Sequence, residues 1–188
     1  MASTASACAA IGIKMEKDYA PRLARKTIQN MYICEIMANT YTQIYLHIVF
    51  AVKGRVSCIP PFALPRDFSY MYAIASKMKH NPIVVGGTPD HIHMLIGYNP
   101  AESLPELVKE IKIGSGKFIN GNGYIGGRFE WQRGYAAISC SHSHVESVKD
   151  YIRGQMEHHR GVTLRDEIIR IYKKNGVDID ERYVFEDV

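Results

Sequence analysis

Cysteine is sparse in this 188-residue chain, tryptophan occurs once, glycine and proline are not inflated, and no apolar run reaches membrane length. The four cysteines, Cys8, Cys34, Cys58 and Cys140, stand far apart with no CxxC pair and no secretory signal ahead of them. They read as reduced, incidental thiols, which predicts a cytoplasmic protein. Fifteen glycines and eight prolines in an otherwise ordinary composition exclude a collagen-like repeat and a disordered chain. The longest apolar stretch, Ile44 to Val52, is interrupted by His47 and falls well short of the roughly 20 residues a spanning helix needs. A membrane protein is therefore not expected.

Charge is also modest. A surplus of +4 excludes a polyelectrolyte tail and argues only weakly for a nucleic-acid partner. Its distribution says more, since residues 37–160 carry 13 basic and 9 acidic groups, whereas residues 161–188 carry 5 and 7. The basic surplus sits in the middle of the chain and the C-terminal end is acidic.

Periodicity divides the chain into three. Residues 1–36 show no sustained period and are expected to form a poorly ordered N-terminal extension. Residues 37–160 hold alternating and helical patterns in the order βαββαβ plus a helix, and residues 161–188 supply one more amphipathic helix and a tail. Alternation over Tyr41–Val52 predicts a strand with Ile44, Leu46, Ile48 and Phe50 on one face and Tyr45 and His47 on the other. Helical spacing follows over Phe62–Lys79. Pro82–Val85 and His91–Gly97 read as a hairpin joined by a turn at Gly86–Asp90. Ser103–Glu106 is a capping box opening a helix that the glycine-rich stretch from Gly121 closes. Arg128–Cys140 reads as the fourth strand, and a second box, Ser143–Glu146, opens a helix to about His159 with Ile152 and Met156 toward the core. Residues 163–175 make the last helix. The order predicts an α+β, ferredoxin-like antiparallel sheet with two helices on one face and added C-terminal helices on the other.

Chemistry concentrates in two segments. On a strand, His91 and His93 project together while Ile92 and Met94 point the other way, so the two imidazoles can chelate one divalent cation. A surface histidine pair at a strand start fits the same pattern. On the helix after the second box, Tyr151 and Gln155 are four residues apart and share a face. Taken alone, such a tyrosine is a packing residue, because an unperturbed phenol with pKa of about 10 is a weak nucleophile. His142 and His144 fit solvated positions at a helix entry, and His47 fits a core or sheet-surface histidine.

Taken together, the opening strand Tyr41–Phe50, His91-Ile92-His93 after Pro89-Asp90, Trp131-Gln132 with Gly134-Tyr135, and Tyr151-Ile152-x-x-Gln155 resemble the single-tyrosine HUH transposases of bacterial and archaeal insertion sequences. The resemblance implies that Tyr151 attacks a DNA phosphodiester to form a 5′-phosphotyrosine, with His91, His93 and Gln155 holding Mg²⁺ or Mn²⁺. His159 lies on the same helical face and competes with Gln155 as third ligand. The resemblance also implies single-stranded DNA with hairpins as substrate, a homodimer, and a tyrosine helix able to shift at Gly154 and Gly161. A hairpin-binding or repeat-associated nicking relative without transposition is the alternative. Lys109, Lys112, Lys117, Arg128 and Arg133 are candidate phosphate contacts, although a solvated helix face accounts for the lysines equally well.

Overall fold

A computed structural model describes residues 41–158 and 163–178. The extension 1–36, His159, Gly161 and the acidic end from residue 179 lie outside the described residues. The chain divides into two units at Tyr41/Thr42, and the architecture below is that of the second.

Four strands, β1 (Tyr45–Ala51), β2 (Asn81–Thr88), β3 (His91–Gly97) and β4 (Ala136–Cys140), form one antiparallel sheet in the order β2-β3-β1-β4. Helices α1 (Leu64–Lys77) and α2 (Leu104–Asn122) cross over between strands. They cover one face, where Ile48 and Phe50 of β1 and Ile92, Met94 and Ile96 of β3 pack against Met71 of α1 and Ile111 of α2. This is the expected ferredoxin-like arrangement, and alternation along β1 and β3 places the apolar residues on that face.

The opposite face is covered by helices from the C-terminal half. Helix α3 (Val145–Arg153) buries Val145 and Ile152 on Leu95 of β3. Helix α5 (Leu164–Lys174) buries Leu164 and Ile168 on Val49, Ala51 and Ala136. Between them runs the short helix α4 (Gln155–His158). Among the described residues, no helix is long and apolar enough to cross a membrane.

Strand β1 begins at Tyr45 rather than Tyr41, and three further element boundaries differ from the sequence expectation. Pairing in the hairpin continues through Thr88↔His91, so Gly86 and Gly87 lie inside the ladder and only Pro89 and Asp90 turn the chain. Regular β4 begins at Ala136 rather than Arg128. Gly134 sits at φ +77, and the Lys112 ammonium takes the carbonyls of Gln132 (2.9 Å) and Gly134, so that segment bends away from the ladder. Before the bend only an isolated bridge, Val52↔Trp131, is made.

The third difference lies in the tyrosine helix. It starts at Val145, after a single 3-10 turn at His142–His144, and ends at Arg153 rather than running on to His159. Gly154 (φ −83, ψ 3) leaves the helical conformation, and the turn that follows is rotated. Gln155 is consequently driven fully inside while Met156 is 47% exposed, the reverse of the core position expected for Met156.

Candidate functional site

The site forms on the second face of the sheet, in the seam between α3 and α5. Strand register dictates its base: on β1 and β3 the residues facing this side are His47, Val49 and Ala51, and His91, His93 and Leu95, paired as Ala51↔His91, Val49↔His93 and His47↔Leu95. His91 and His93 are both fully buried, which removes the surface-pair reading. Their rings meet edge to face with centroids 5.0 Å apart.

Each imidazole is held through Nδ1, which turns its Nε2 toward the same place. His91 Nδ1 lies 2.9 Å from Asp90 Oδ1 and 2.8 Å from Thr88 Oγ1. His93 Nδ1 lies 2.9 Å from His47 Nε2. Such outer partners fix tautomer and ring orientation in histidine metal sites. Burial alone would raise the Asp90 carboxyl, but hydrogen bonds with His91 and Thr88 and the charge of His91 overcome it and take its pKa down to about 2. Burial, reinforced by neighbouring His93, pushes His47 down to about 3, so His47 stays neutral. The expectation of a sheet-surface or core histidine for His47 thus holds for its place but omits its contact with His93.

A carboxylate closes the cluster from a helix that sequence reasoning assigned no chemistry. Glu167 of α5 is 2% exposed, with Oε2 3.8 Å from His91 Nε2 and Oε1 3.5 Å from His93 Nε2. His91, His93 and Glu167 offer three potential ligand atoms all within 4.8 Å of one another. Burial raises the Glu167 pKa to about 7 against the opposing charges of His91 and Arg170.

Gln155 and Tyr151 join this group from the tyrosine helix and the turn after it. Gln155 is fully buried, and its amide Nε2 donates to Glu167 Oε1 at 3.0 Å. Among the described residues, its buried Oε1 meets no hydrogen-bond partner. A buried acceptor left in that state costs about 1–3 kcal/mol, which a bound cation would relieve. Two oriented imidazoles and this buried amide oxygen therefore suit a divalent metal that accepts mixed nitrogen and oxygen ligands. Tyr151 is half-buried, its ring edge-on to His93 (6.0 Å) and His47 (6.3 Å), and its hydroxyl donates to Glu167 Oε1.

The tyrosine helix reaches this position because β2 is cleared for it. A Cβ built on Gly86 would lie 2.6 Å from the Ile152 carbonyl oxygen and 2.8 Å from its Cγ2. Only a glycine lets the backbone beside Tyr151 rest this close to the sheet.

Two cavities frame the candidate DNA contacts. One, of about 640 Å³, has Tyr151 and Glu167 in its wall together with Ser147, His144, Arg170 and Lys174. The other, of about 600 Å³, lies between α2 and residues 128–135 and includes all five basic residues singled out from the sequence. The two share no lining residue. In the second groove Lys109 pairs with Glu106, Arg128 pairs with Glu130, and Lys112 holds the backbone bend, its ammonium lowered to a pKa of about 8 by burial. Lys117 and Arg133 make no ion pair among the described residues. His142 and His144 are exposed at the entry to α3, as expected, with His144 Nδ1 2.6 Å from the Ser141 hydroxyl.

Comparison with known proteins bears on this arrangement. The family model described as "Transposase IS200 like" matches residues 40–155. A candidate transposase from Deinococcus radiodurans R1 has a similar structure, with TM-score 0.50 and 20% identity over 62% of this chain and 94% of that one. A REP-associated tyrosine transposase bound to a REP hairpin aligns with TM-score 0.48 and 12% identity, over 80% of this chain and 91% of that one. No curated protein sequence matches the chain.

Proposed function

The chain belongs to the IS200-like transposase family, and from that premise we propose that it cleaves and rejoins single-stranded DNA at hairpin-bearing ends through Tyr151. The observation that carries this reading is the placement of Tyr151: its ring packs on His93 and its hydroxyl reaches the carboxylate that also borders both histidines. Attack of Tyr151 Oη on a phosphodiester breaks the bond to the 3′ oxygen, leaving a 5′-phosphotyrosine and a 3′-hydroxyl. The tyrosine proton departs along the hydrogen bond to Glu167 Oε1, and the departing 3′ oxygen takes up one proton in turn, so none is gained or lost overall. The covalent link conserves the phosphodiester, so the reverse attack by a 3′-hydroxyl rejoins strands without ATP.

His91, His93 and Gln155 would hold the divalent metal, Mg²⁺ or Mn²⁺. When bound, the metal supplies Lewis-acid polarisation of the phosphate. The residues around it do the rest: Asp90, Thr88 and His47 keep the imidazole Nε2 atoms turned inward, and Gly86 keeps the tyrosine helix seated. The scissile strand would enter through the cavity beside Tyr151, where Arg170 and Lys174 face it. Hairpin phosphates would meet Lys117 and Arg133, with Lys109, Lys112 and Arg128 positioning the rest of that groove. A homodimer and a role in moving a mobile element complete the reading.

The test is incubation of labelled single-stranded oligonucleotides, taken from the borders of the gene and ending in their hairpins, with protein and Mn²⁺ or Mg²⁺. A covalent protein–DNA adduct on a denaturing gel is expected, and none with Tyr151→Phe. Absence of an adduct with the wild-type chain, or its persistence in the variant, overturns the reading.

A further inference from the structure

We propose that Glu167 is a direct ligand of the metal, adding an anionic oxygen from α5 to the set formed by His91, His93 and Gln155. The inference rests on the metal-site reading above and extends it to a residue that lies beyond the part of the chain matching the family, which ends at residue 155.

Geometry argues for it first. Glu167 Oε2 and Oε1 lie 3.8 and 3.5 Å from His91 Nε2 and His93 Nε2, the two nitrogens left facing inward once each Nδ1 is engaged by Asp90 and Thr88 or by His47. Ligand atoms held near one another at about 3–4 Å are what a cation with bonds of about 2.0–2.2 Å requires. Gln155 is tied to the same carboxylate through Nε2, so the amide carrying the orphaned Oε1 is positioned by Glu167 itself.

Chemistry argues for it second. Two imidazoles and one amide give a neutral donor set with a single oxygen. Mg²⁺ and Mn²⁺ prefer oxygen, and an anionic one above all. A carboxylate added to that set brings its donors to two nitrogens and two oxygens and supplies negative charge at 2% exposure, where water screens it little.

Packing argues for it third. Ile168, next in the chain, is fully buried against Val49, Ala51 and Leu164, and Thr163 caps the helix by accepting from Asp166 N at 3.2 Å. Glu167 thus sits on a docked helix, one turn from its capped end, rather than on a loose tail.

The experiment is calorimetric titration of the full chain, stripped with chelator, with MnCl₂. Glu167→Gln keeps the shape and the acceptor that Tyr151 and Gln155 use, but removes the charge and most of the ligand strength. Wild type should bind one Mn²⁺, and E167Q should bind it at least tenfold more weakly, with unchanged circular dichroism and a smaller Mn²⁺-induced rise in melting temperature. An affinity within tenfold of wild type overturns the inference. Should E167Q not fold, Glu167→Asp, which keeps the charge but withdraws it by one methylene, is titrated against the same tenfold criterion. His91→Ala separates the two readings. If wild type binds and H91A does not while E167Q matches wild type, the metal site stands and the Glu167 assignment fails; if wild type binds no Mn²⁺, the metal site fails with it.

Discussion

Replacing Gly86 by alanine should unseat the tyrosine helix, and the size of the effect follows from one distance. The added carbon would lie 2.6 Å from the Ile152 carbonyl oxygen, against an ordinary contact of 3.4 Å or more, so α3 has to recede by about 0.8 Å where it crosses β2. That nearest neighbour is backbone, which cannot rotate aside. Overpacking of this kind costs about 1–3 kcal/mol, and the gain from removing a glycine inside a strand offsets about 0.5–1 of it. A net loss of about 1–2 kcal/mol should appear as a fall of about 2–8 °C in melting temperature. The catalytic loss should be larger than the stability loss. Tyr151 directly precedes Ile152, and a shift near 1 Å in a reacting group can lower a rate about 100-fold. The assay pairs thermal denaturation with the rate of adduct formation on a hairpin-ended strand at a temperature where both proteins are folded. Gly121→Ala serves as control, because among the described residues nothing beyond its own stretch of helix lies within 4 Å of the added carbon, and its position is helical. It should leave the rate unchanged and the stability unchanged or raised by up to about 1 kcal/mol. A G86A protein as stable and as fast as wild type would refute the seating of α3 on β2.

Asp90→Asn keeps an acceptor for His91 but removes its charge, and should weaken Mn²⁺ binding about 10–100-fold without unfolding the chain; titration calorimetry checks this, and unchanged affinity counts against the role of Asp90. Ile168→Ala should cost about 2–5 kcal/mol by urea denaturation, since the side chain is fully buried, and should weaken Mn²⁺ binding as α5 loosens. Without metal, Glu167 makes stability depend on pH in a defined direction. Its folded pKa of about 7 exceeds the ordinary 4.5, so its stabilising contribution is complete below 4.5 and is lost as pH rises through 7. In EDTA, wild type should therefore lose stability relative to E167Q between pH 5 and pH 8, by about 1–3 kcal/mol. An equal difference between the two proteins at both pH values would refute this.

Much of the fold was legible because it is written in short-range periods. Alternation in β1 and β3 specified which residues enter the main core, and residues 91 and 93 had to share a face once the strand was recognised. What failed were boundaries set by distant contacts. The β4 start depends on Lys112, twenty residues upstream of the Gln132 carbonyl it grips. The glycines at 86 and 87 look like a turn because nothing local reveals that Ile152 will arrive above the first of them. Met156 was misplaced because the helical period was continued through Gly154, whose departure from helix rotates all that follows.

Glu167 shows why part of the site was not legible at all. In the stretch Leu164-Arg165-Asp166-Glu167-Ile168-Ile169, an acidic residue in the first turn of a helix has a sufficient local explanation, since negative charge there complements the helix dipole. Asp166, beside it, fits that explanation and is exposed. Only docking against Val49 and Ala51 turns Glu167 inward, and that docking depends on pairing Leu164 and Ile168 with a strand more than a hundred residues earlier. The usable signal was the face itself: residues 164, 167, 168 and 171 form a stripe at spacing i, i+3, i+4, i+7, and Glu167 is the charged member of an otherwise apolar stripe. A carboxylate on the buried face of a helix needs a hydrogen-bonding or cationic partner inside, because burying the charge without one costs far more than the apolar contacts around it return. Hydrogen bonds from Tyr151 and Gln155 meet part of that need, and the same requirement points toward a cation between Glu167 and the two histidines.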